Sequence, residues 1–552
     1  MLSNQRLNCV IVGYNDVDFR KLAMNEKRVE NTSGAYHEIK ANSVLLRGQR
    51  YTYMELINQA IERAQGEDPR LSVFEAPSLG AFYLKNFLHI KGFHAEVVNF
   101  FSYEKEKLAS LLAERPDAVA ITTTFYVDPA PIIEVVEFVR RHCPETKIIV
   151  GGPHTFNLAS DYGGETLEFL LQEIGADIYV IDSQGESTLA RVIGCLRDGS
   201  LRDLQGVPNL MYTTDGIAFT QTLRVPENNK LDEGTIDWSL FDSSEIAPIS
   251  YLRTARSCPF ACTFCNFPTM AGEHVVSDIE NVERQLIYLN SIGTTDVVFI
   301  DDTFNVPLPR FKNILRMMIR HRFNFRWISF FRCSNADEET FDLLKESGCI
   351  AVFLGIESGD QQILKYMNKS ATLERYKWGM RHLHARGIAT FASLICGFPG
   401  ETRESVMNTR NFVEEMSPTF FNVQLYYHDM RSPIQKKADE FSIQGSGYSW
   451  RHRTMDWREA IEWVEYLYAN IHNSGPLSLY GFSLWAVPFL LSRGLSLEQI
   501  KRFSYIVRPM LLSSLDEVSA NFSGVEDQLT ELFRDTSILP RASNFVRQAQ
   551  AV

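Results

Sequence analysis

The chain has no apolar run long enough to cross a membrane as a helix, no disulfide framework, no internal repeat and no low-complexity tract. The first absence excludes a helical membrane protein, and the opening Met1-Leu2-Ser3-Asn4-Gln5-Arg6 has no signal-peptide architecture, so a cytoplasmic location is expected. Basic charge is scarce: 55 Lys and Arg stand against 68 Asp and Glu, a formal net charge of -13. Nucleic acid and anionic membranes would repel such a surface, so neither is an expected partner. Most of the nine cysteines are scattered, a pattern of free thiols in a reduced compartment. The 552 residues, 45% of them hydrophobic, are enough for two or three globular domains.

Three cysteines are not scattered. Cys258, Cys262 and Cys265 form a C-x3-C-x2-C triplet in the run Ser257-Cys258-Pro259-Phe260-Ala261-Cys262-Thr263-Phe264-Cys265. Tetrahedral structural zinc would use a fourth Cys or His at short spacing, and none follows, so the set suggests a cluster with one open position. Buried core thiols are the bland alternative, but they have no reason to share one loop at this spacing. The triplet resembles that of radical S-adenosylmethionine (SAM) enzymes. The resemblance implies a four-iron, four-sulfur cluster held by these thiols, with SAM at the free iron.

From Leu7 to about Cys195, short apolar runs alternate with helical patterns, which predicts α/β structure with a doubly wound parallel sheet. The strand candidates are 9–13, 95–100, 118–122, 147–151 and 176–181, with helices over 79–91, 130–142 and 186–196. Ligands of such sheets bind beyond the strands' carboxyl ends, where this chain has loops rich in Gly and hydroxyl groups. The pattern looks like the cobalamin-binding domain that precedes many radical SAM domains. That likeness implies cobalamin contacts from Tyr14, Thr122, Thr123, Thr124, Gly151, Gly152, Pro153, His154, Gly185 and Glu186. Asp-x-His-x-x-Gly, by which many cobalamin proteins place a histidine on cobalt, is missing, so the lower face of cobalt has no assigned ligand, with Phe125 and Tyr126 nearby. His154 lines the corrin edge or nucleotide pocket, or is only a residue of a helix-capping loop.

Residues 206–249 carry prolines among Asn and Asp without sustained periodicity and are expected to form a linker with short strands. From 250 to about 430, six strand-helix alternations imply a partial parallel (β/α)6 barrel, with strands near 250–254, 296–300, 326–331, 350–356, 390–395 and 420–426. Barrel chemistry belongs at the strands' carboxyl ends. The cysteine loop follows the first strand, Asp301 and Asp302 the second, Arg332 the third, Glu357 the fourth, and Gly397-Phe398-Pro399-Gly400-Glu401 the fifth. Carboxylates there can accept from the amino group or ribose hydroxyls of SAM, and Arg332 can pair with its carboxylate. By the resemblance, Phe264 lies against the adenine, and Gly397 and Pro399 turn against the ligand. Each charge could instead be a rim salt bridge or a solvated loop charge. Charges at three successive strand ends beside the cysteine loop favour a site, with Asp301 and Asp302 undistinguished and no catalytic residue assigned. Cys333, Cys349 and Cys396 read as core thiols.

After Arg431 the pattern turns helical, so domains are expected at 1–205, 250–430 and 431–552 around the linker. Gly13-Tyr14-Asn15-Asp16, Asp301-Asp302-Thr303-Phe304-Asn305-Val306-Pro307, Leu354-Gly355-Ile356-Glu357-Ser358-Gly359 and the segment from Gly445 to Met455 together resemble cobalamin-dependent radical SAM enzymes grouped with the phosphinate P-methyltransferases of natural-product pathways. Trp450 and His452 are packing residues or substrate contacts. The resemblance implies transfer of a methyl group from methylcobalamin to an unactivated carbon or phosphinate phosphorus of a small-molecule or carrier-bound intermediate. It also implies an electron donor such as flavodoxin or ferredoxin. A non-methylating enzyme of ring rearrangement or carbon-sulfur chemistry would share these motifs. A cobalamin or iron sensor would not need the charged strand ends.

Overall fold

The computed structural model describes residues 6–126, 128–477, 485–518 and 522–539. They divide into two compact units: the chain up to Val17 with Phe74–Phe241, and Asp18–Val73 with the chain from Asp242 onward.

The first unit is built on a sheet in the spatial order Ala95–Phe100, Cys9–Tyr14, Ala118–Thr122, Lys147–Gly151, Ile178–Val180, Leu210–Thr213, Phe219–Gln221. The first five strands are parallel and the last two antiparallel. Val10, Val12, Val119, Ile121, Ile148 and Val150 share one core with Val135, Val139 and Leu171 of the flanking helices. Strands covered on both faces read as continuous apolar runs, which is why they were visible in the sequence. Strand order reverses between Cys9–Tyr14 and Ala118–Thr122, so the loops after these two strands flank the switch-point crevice.

Two boundaries differ from expectation. Much of 206–249 is not a linker: Leu210–Thr213 and Phe219–Gln221 extend the sheet, and the Phe241 ring stacks on Phe82 at 4.3 Å. Residues 18–73 leave the first unit altogether. The helix Tyr53–Gln65, started by a Thr52–Glu55 capping box, buries Tyr53, Leu56, Ile57, Ala60 and Ile61, and Tyr53 meets Phe503 edge-on at 5.7 Å. Buried Arg50 donates to the Ser514 carbonyl at 3.3 Å, while Arg47 and Arg63 both bind Glu526. An amphipathic helix shows which face is buried but not what buries it.

In the second unit, parallel strands Ile249–Leu252, Asp296–Phe299, Arg326–Phe330, Cys349–Glu357, Ala389–Cys396 and Phe420–Leu425 follow one another in chain order, with the short Gly475–Pro476 beside the sixth. Register places Phe330, Phe353 and Phe391 on one face, where Phe353 stacks on Phe391 at 4.1 Å. Trp327 lies on the opposite face and donates from Nε1 to the Ser347 carbonyl beside the helix Glu338–Glu346. The aromatic face is therefore the concave one. Residues after 431 join this same unit rather than forming their own. They open with a small antiparallel sheet, Gln444–Ser446, Ser449–His452 and Met455–Asp456, before the helices Trp457–Asn470, Ala486–Ser492, Leu497–Ile506, Arg508–Leu515 and Ser523–Phe533.

Candidate functional site

The cysteine loop leaves the first barrel strand through Ala255–Arg256, which pairs antiparallel with Val275–Val276 and closes the loop at its base. Asp301 locks that base. Its carboxylate accepts from Thr254 N at 2.6 Å, Ala255 N at 2.9 Å and Thr254 Oγ1 at 2.5 Å, and only 2% of the residue is exposed. Both carboxylate oxygens of Asp301 are thus engaged by the protein's own backbone and hydroxyl. Asp302 is accessible at the barrel mouth. Enclosure by the surrounding walls, with the Asp301 charge beside it, raises its carboxyl to about 7. The adjacent aspartates, indistinguishable in sequence, therefore differ in availability.

Burial raises the Cys265 thiol to about 11, and Cys262 and Cys258 add to the rise, which marks the three sulfurs as close neighbours. Thr303 Oγ1 donates to Cys258 Sγ at 3.8 Å. Among the described residues no three ligating side chains are gathered at coordinating distance, so the fit to a cluster rests on the donor set. Three thiols on one loop, two of them partly exposed, are the donor set that an iron-sulfur cluster with one open iron requires.

Around this loop stand the other strand ends. The Arg332 guanidinium lies 3.6 Å over the Phe260 ring and donates through Nη2 to the Lys369 carbonyl. Its Nε is buried and unpartnered. Asn305 clamps the turn, accepting from Arg332 N at 3.0 Å and donating to the carbonyls of Arg332 and Asn335. Glu357 ends the fourth strand at a bulge with φ 62° and pairs with Lys369 Nζ at 2.6 Å. Asn305 and Lys369 were not singled out from sequence. Asn305 stood inside a quoted motif, and Lys369 had no local signal. Phe264 faces the Lys369 ammonium at 5.5 Å.

Gly397 has φ 95°, and a Cβ there would come within 2.6 Å of the Trp450 ring. The glycine is required by packing as well as by the turn. Glu401 Oε2 accepts from Gly397 N at 2.5 Å, and burial raises that carboxyl to about 8. His452 donates from Nε2 to the Gly397 carbonyl at 3.1 Å, with burial lowering it to about 4, and Trp450 donates to the Tyr426 carbonyl. Both are buried supports of the Gly397 turn, and Pro399 is buried beside it.

In the first unit, Thr122 and Thr123 tie strand ends together: Thr122 Oγ1 donates to the Gly13 carbonyl and Thr123 Oγ1 to the Gly151 carbonyl. Thr123 Oγ1 also accepts from His154 N. Gly152 has φ 107°, and a Cβ would fall 2.9 Å from Thr123 Oγ1. A Cβ on Gly151 would lie 3.3 Å from Val180, while Thr124 is half-buried and Pro153 exposed in the first turn of the helix. Tyr14 is buried between the rings of Phe74 and Phe125. Gly185, with φ 76°, starts the helix Glu186–Arg197, whose Ser187 and Thr188 amides donate to the Glu227 carboxylate, and Glu186 accepts from Asn229. That helix end already holds an internal anion.

The ends of the third and fourth strands in chain order, Ala118–Thr122 and Lys147–Gly151, are different. His154 Nε2 and Thr155 Oγ1 are buried without a hydrogen-bond partner, and the buried Tyr126 OH meets only the backbone of Asn15, outside hydrogen-bond geometry; burial lowers His154 below the usual histidine range, leaving a neutral ring. Unpartnered buried polar groups are uncommon and costly. Two hydroxyls and an imidazole suit a ligand dense in amides and hydroxyls, as cobalamin is. Thr155 is an addition that only the burial pattern exposes, while Tyr126 was already placed near cobalt from the sequence.

Comparison with known proteins agrees with this division. Residues 252–413 match the radical SAM superfamily and residues 71–193 the B12 binding domain. The chain is 27% identical over 311 residues to an uncharacterised methyltransferase of Pyrococcus horikoshii, covering 54% of this chain and 64% of that protein. It is 22% identical over 356 residues to the anaerobic magnesium-protoporphyrin IX monomethyl ester cyclase of Rubrivivax gelatinosus, covering 62% of each. The chain thus spans somewhat under two thirds of these relatives' length. In fold it matches the radical SAM methyltransferase TsrM of Kitasatospora setae, solved with tryptophan substrate and a SAM analogue, with TM-score 0.56 at 16% identity over 99% of both chains. It also matches the cobalamin-dependent radical enzyme OxsB, with TM-score 0.58 at 14% identity, over 99% of this chain and 84% of that one. The chain carries the two domains of a cobalamin-dependent radical SAM enzyme, and its cofactors are a four-iron, four-sulfur cluster, SAM and cobalamin.

Proposed function

We propose that this chain is a cobalamin-dependent radical SAM methyltransferase that methylates an unactivated carbon, or a phosphinate phosphorus, of a biosynthetic intermediate. The observation that carries the reading is the combination, in one chain, of a three-thiol loop at a parallel-barrel mouth with a doubly wound unit that holds unpartnered buried polar atoms at the carboxyl ends of its strands. When bound, the reduced cluster supplies the electron for SAM cleavage and cobalamin a transferable methyl group.

Within that reading, Cys258, Cys262 and Cys265 hold iron, and Asp301 fixes the root of their loop. Asp302 and Glu357 accept from the hydroxyls or amine of SAM. Arg332 stiffens the loop through Phe260, Phe264 offers an apolar wall, and the Gly397–Pro399 turn is braced by Glu401 and His452. The aromatic concave face keeps water from the reacting centre. Tyr126, His154 and Thr155 take polar edges of cobalamin. The substrate is a small molecule, free or carrier-bound, a reading supported by the tryptophan complex of TsrM. A flavodoxin or ferredoxin in the cytoplasm supplies electrons. The cyclase relative favours one second reading, radical ring chemistry without methylation.

Anaerobic turnover with methyl-labelled SAM and a small-molecule extract as acceptor pool tests this. Deoxyadenosine, demethylated SAM and labelled products are counted by mass. Labelled-methyl products that vanish in cobalamin-free protein, with some deoxyadenosine persisting, are the expected result. Radical products without label would replace the proposal with the second reading, and absence of deoxyadenosine would overturn both.

A further inference from the structure

The residues beside Cys262 belong to a face without carboxylates. Thr263, next in the chain, donates from N and Oγ1 to the carbonyls of Met367 and Tyr366, and its own carbonyl accepts from Ile434 N at 2.8 Å. Asn368 Nδ2 donates to the Ala261 carbonyl at 2.8 Å, and the Tyr366 ring meets Phe441 edge-on at 5.1 Å. Three stretches, 257–272, 361–373 and 430–438, thus meet around the cysteine loop, and none contains an Asp or Glu. Their charges are Lys365, Lys369, Arg431, Lys436 and Lys437, all cationic. Lys369 is buried against Glu357, and Arg431 pairs with Asp429. Lys365, Lys436 and Lys437 are exposed, and no carboxylate of the described residues holds them. Asp439 and Glu440, exposed on the adjoining helical turn Ala438–Phe441, bound the patch.

Exposed lysines are ordinary on any protein surface. These differ in where they stand. Pro259 and Ala261 are exposed on either side of Phe260, while Cys262 is buried, so the loop meets solvent one residue from a thiol that would hold iron. An electron entering here has only the cysteine loop to cross. The chain as a whole has a net charge of -13, so an acidic protein is repelled by most of its surface and drawn to a place where the local sign reverses. Pro259 and Ala261 add apolar surface that contact can desolvate.

We propose that Lys365, Lys436 and Lys437, around exposed Ala261, form the docking surface for a small acidic one-electron carrier protein that reduces the cluster. The inference rests on the radical SAM reading and adds the partner's place of entry. With a flavodoxin as carrier, the anionic flavin hydroquinone loses one electron to become the neutral semiquinone and the cluster gains that electron; no bond forms or breaks. The test uses the full chain loaded with cluster and cobalamin, mixed anaerobically with reduced flavodoxin, and follows the reduced cluster by freeze-quench electron paramagnetic resonance. Changing Lys365, Lys436 and Lys437 together to Glu should slow second-order cluster reduction ~10-fold or more at low salt, with the gap to wild type closing as salt is raised. Asp439→Asn with Glu440→Gln should speed it. Singly, Lys365→Glu should slow it, whereas Lys345→Glu should not, being an equal charge change on the helix Glu338–Glu346, which leads into the amino end of the fourth strand. Dithionite needs no docking surface and should reduce every variant to the same extent. Equal flavodoxin rates in the triple variant and wild type, or equal slowing in Lys345→Glu and Lys365→Glu, would overturn the assignment, as would a wild type that dithionite reduces and flavodoxin does not. Should the triple variant lose iron, the single variants carry the same comparison. Wild-type protein with no reducible cluster would instead refute the radical SAM reading, a separate outcome.

Discussion

Replacing Glu38 by Gln should stabilise the second unit in a pH-dependent way. Glu38 sits on the helix Ala35–Ala41, is 5% exposed, and its Oε1 accepts from Leu425 N, the last residue of the sixth barrel strand, at 2.7 Å. Burial raises the carboxyl from 4.5 to about 7 despite the hydrogen bonds from Leu425 and Asn42. The folded protein therefore holds this proton more tightly than the unfolded chain. Its contribution to stability is fully present below pH 4.5 and is lost as pH rises through 7; the shift corresponds to about 3 kcal/mol by pH 8. Gln keeps the shape and the acceptor for Leu425 but does not ionise. Glu38→Gln should thus exceed wild type by about 3 kcal/mol near pH 8, with the gap closing toward pH 4.5. Urea unfolding of both proteins across this range measures the difference, and groups shared by both, such as His37, Lys40 and Glu465, cancel from it. A gap that does not change with pH would refute the reasoning.

Three further outcomes follow from the two sites. Asp301→Ala strands the Thr254 and Ala255 amides and should cost about 3 kcal/mol or more. Asp302→Asn should leave stability unchanged or raised while weakening SAM binding, and the reverse pattern in thermal melts and calorimetry would exchange the two roles. Cys258, Cys262 and Cys265 changed together to Ala should abolish bound iron and its visible absorption but leave cobalamin bound, since the two sites lie in different units; a retained full cluster would reassign the ligands. Thr155→Val deletes a hydroxyl that has no partner, and Tyr126→Phe one that meets only the Asn15 backbone outside hydrogen-bond geometry, so the cobalamin-free protein should melt at the same temperature or higher while cobalamin affinity drops ~5- to 10-fold. Unchanged affinity in both variants would remove these residues from the cofactor site.

What was legible in the sequence was local. The cysteine triplet lies in one loop, so its spacing is its geometry, and the parallel strands announce themselves as apolar runs because both faces are covered. Pairings across long stretches of chain leave no such mark. Glu38 and Leu425 are 387 residues apart, and nothing near Glu38 shows that residues 18–73 pack with the barrel rather than with the strands that flank them in sequence. Lys369 escaped for the same reason, since its partners Glu357 and Phe264 arrive from another strand end and from the cysteine loop.

The glycines show a subtler limit. Positive φ at Gly152 and Gly397 fits the expected tight turns, but the atoms nearest an added side chain are Thr123 Oγ1 at 2.9 Å and the Trp450 ring at 2.6 Å. These glycines are needed for the fold itself. A bulky residue at Gly152 would disturb the Thr123 contacts that join neighbouring strand ends, and weakened cobalamin binding would follow whether or not the loop touches the cofactor. Glycine thus marks where backbones approach closely without saying what approaches them. Polar atoms buried without partners carry that information instead, because the protein offers them nothing to bind. For this chain they point to His154 and Thr155, with Tyr126 beside them, and cofactor contact there is tested by removing a hydroxyl, a change the fold itself tolerates.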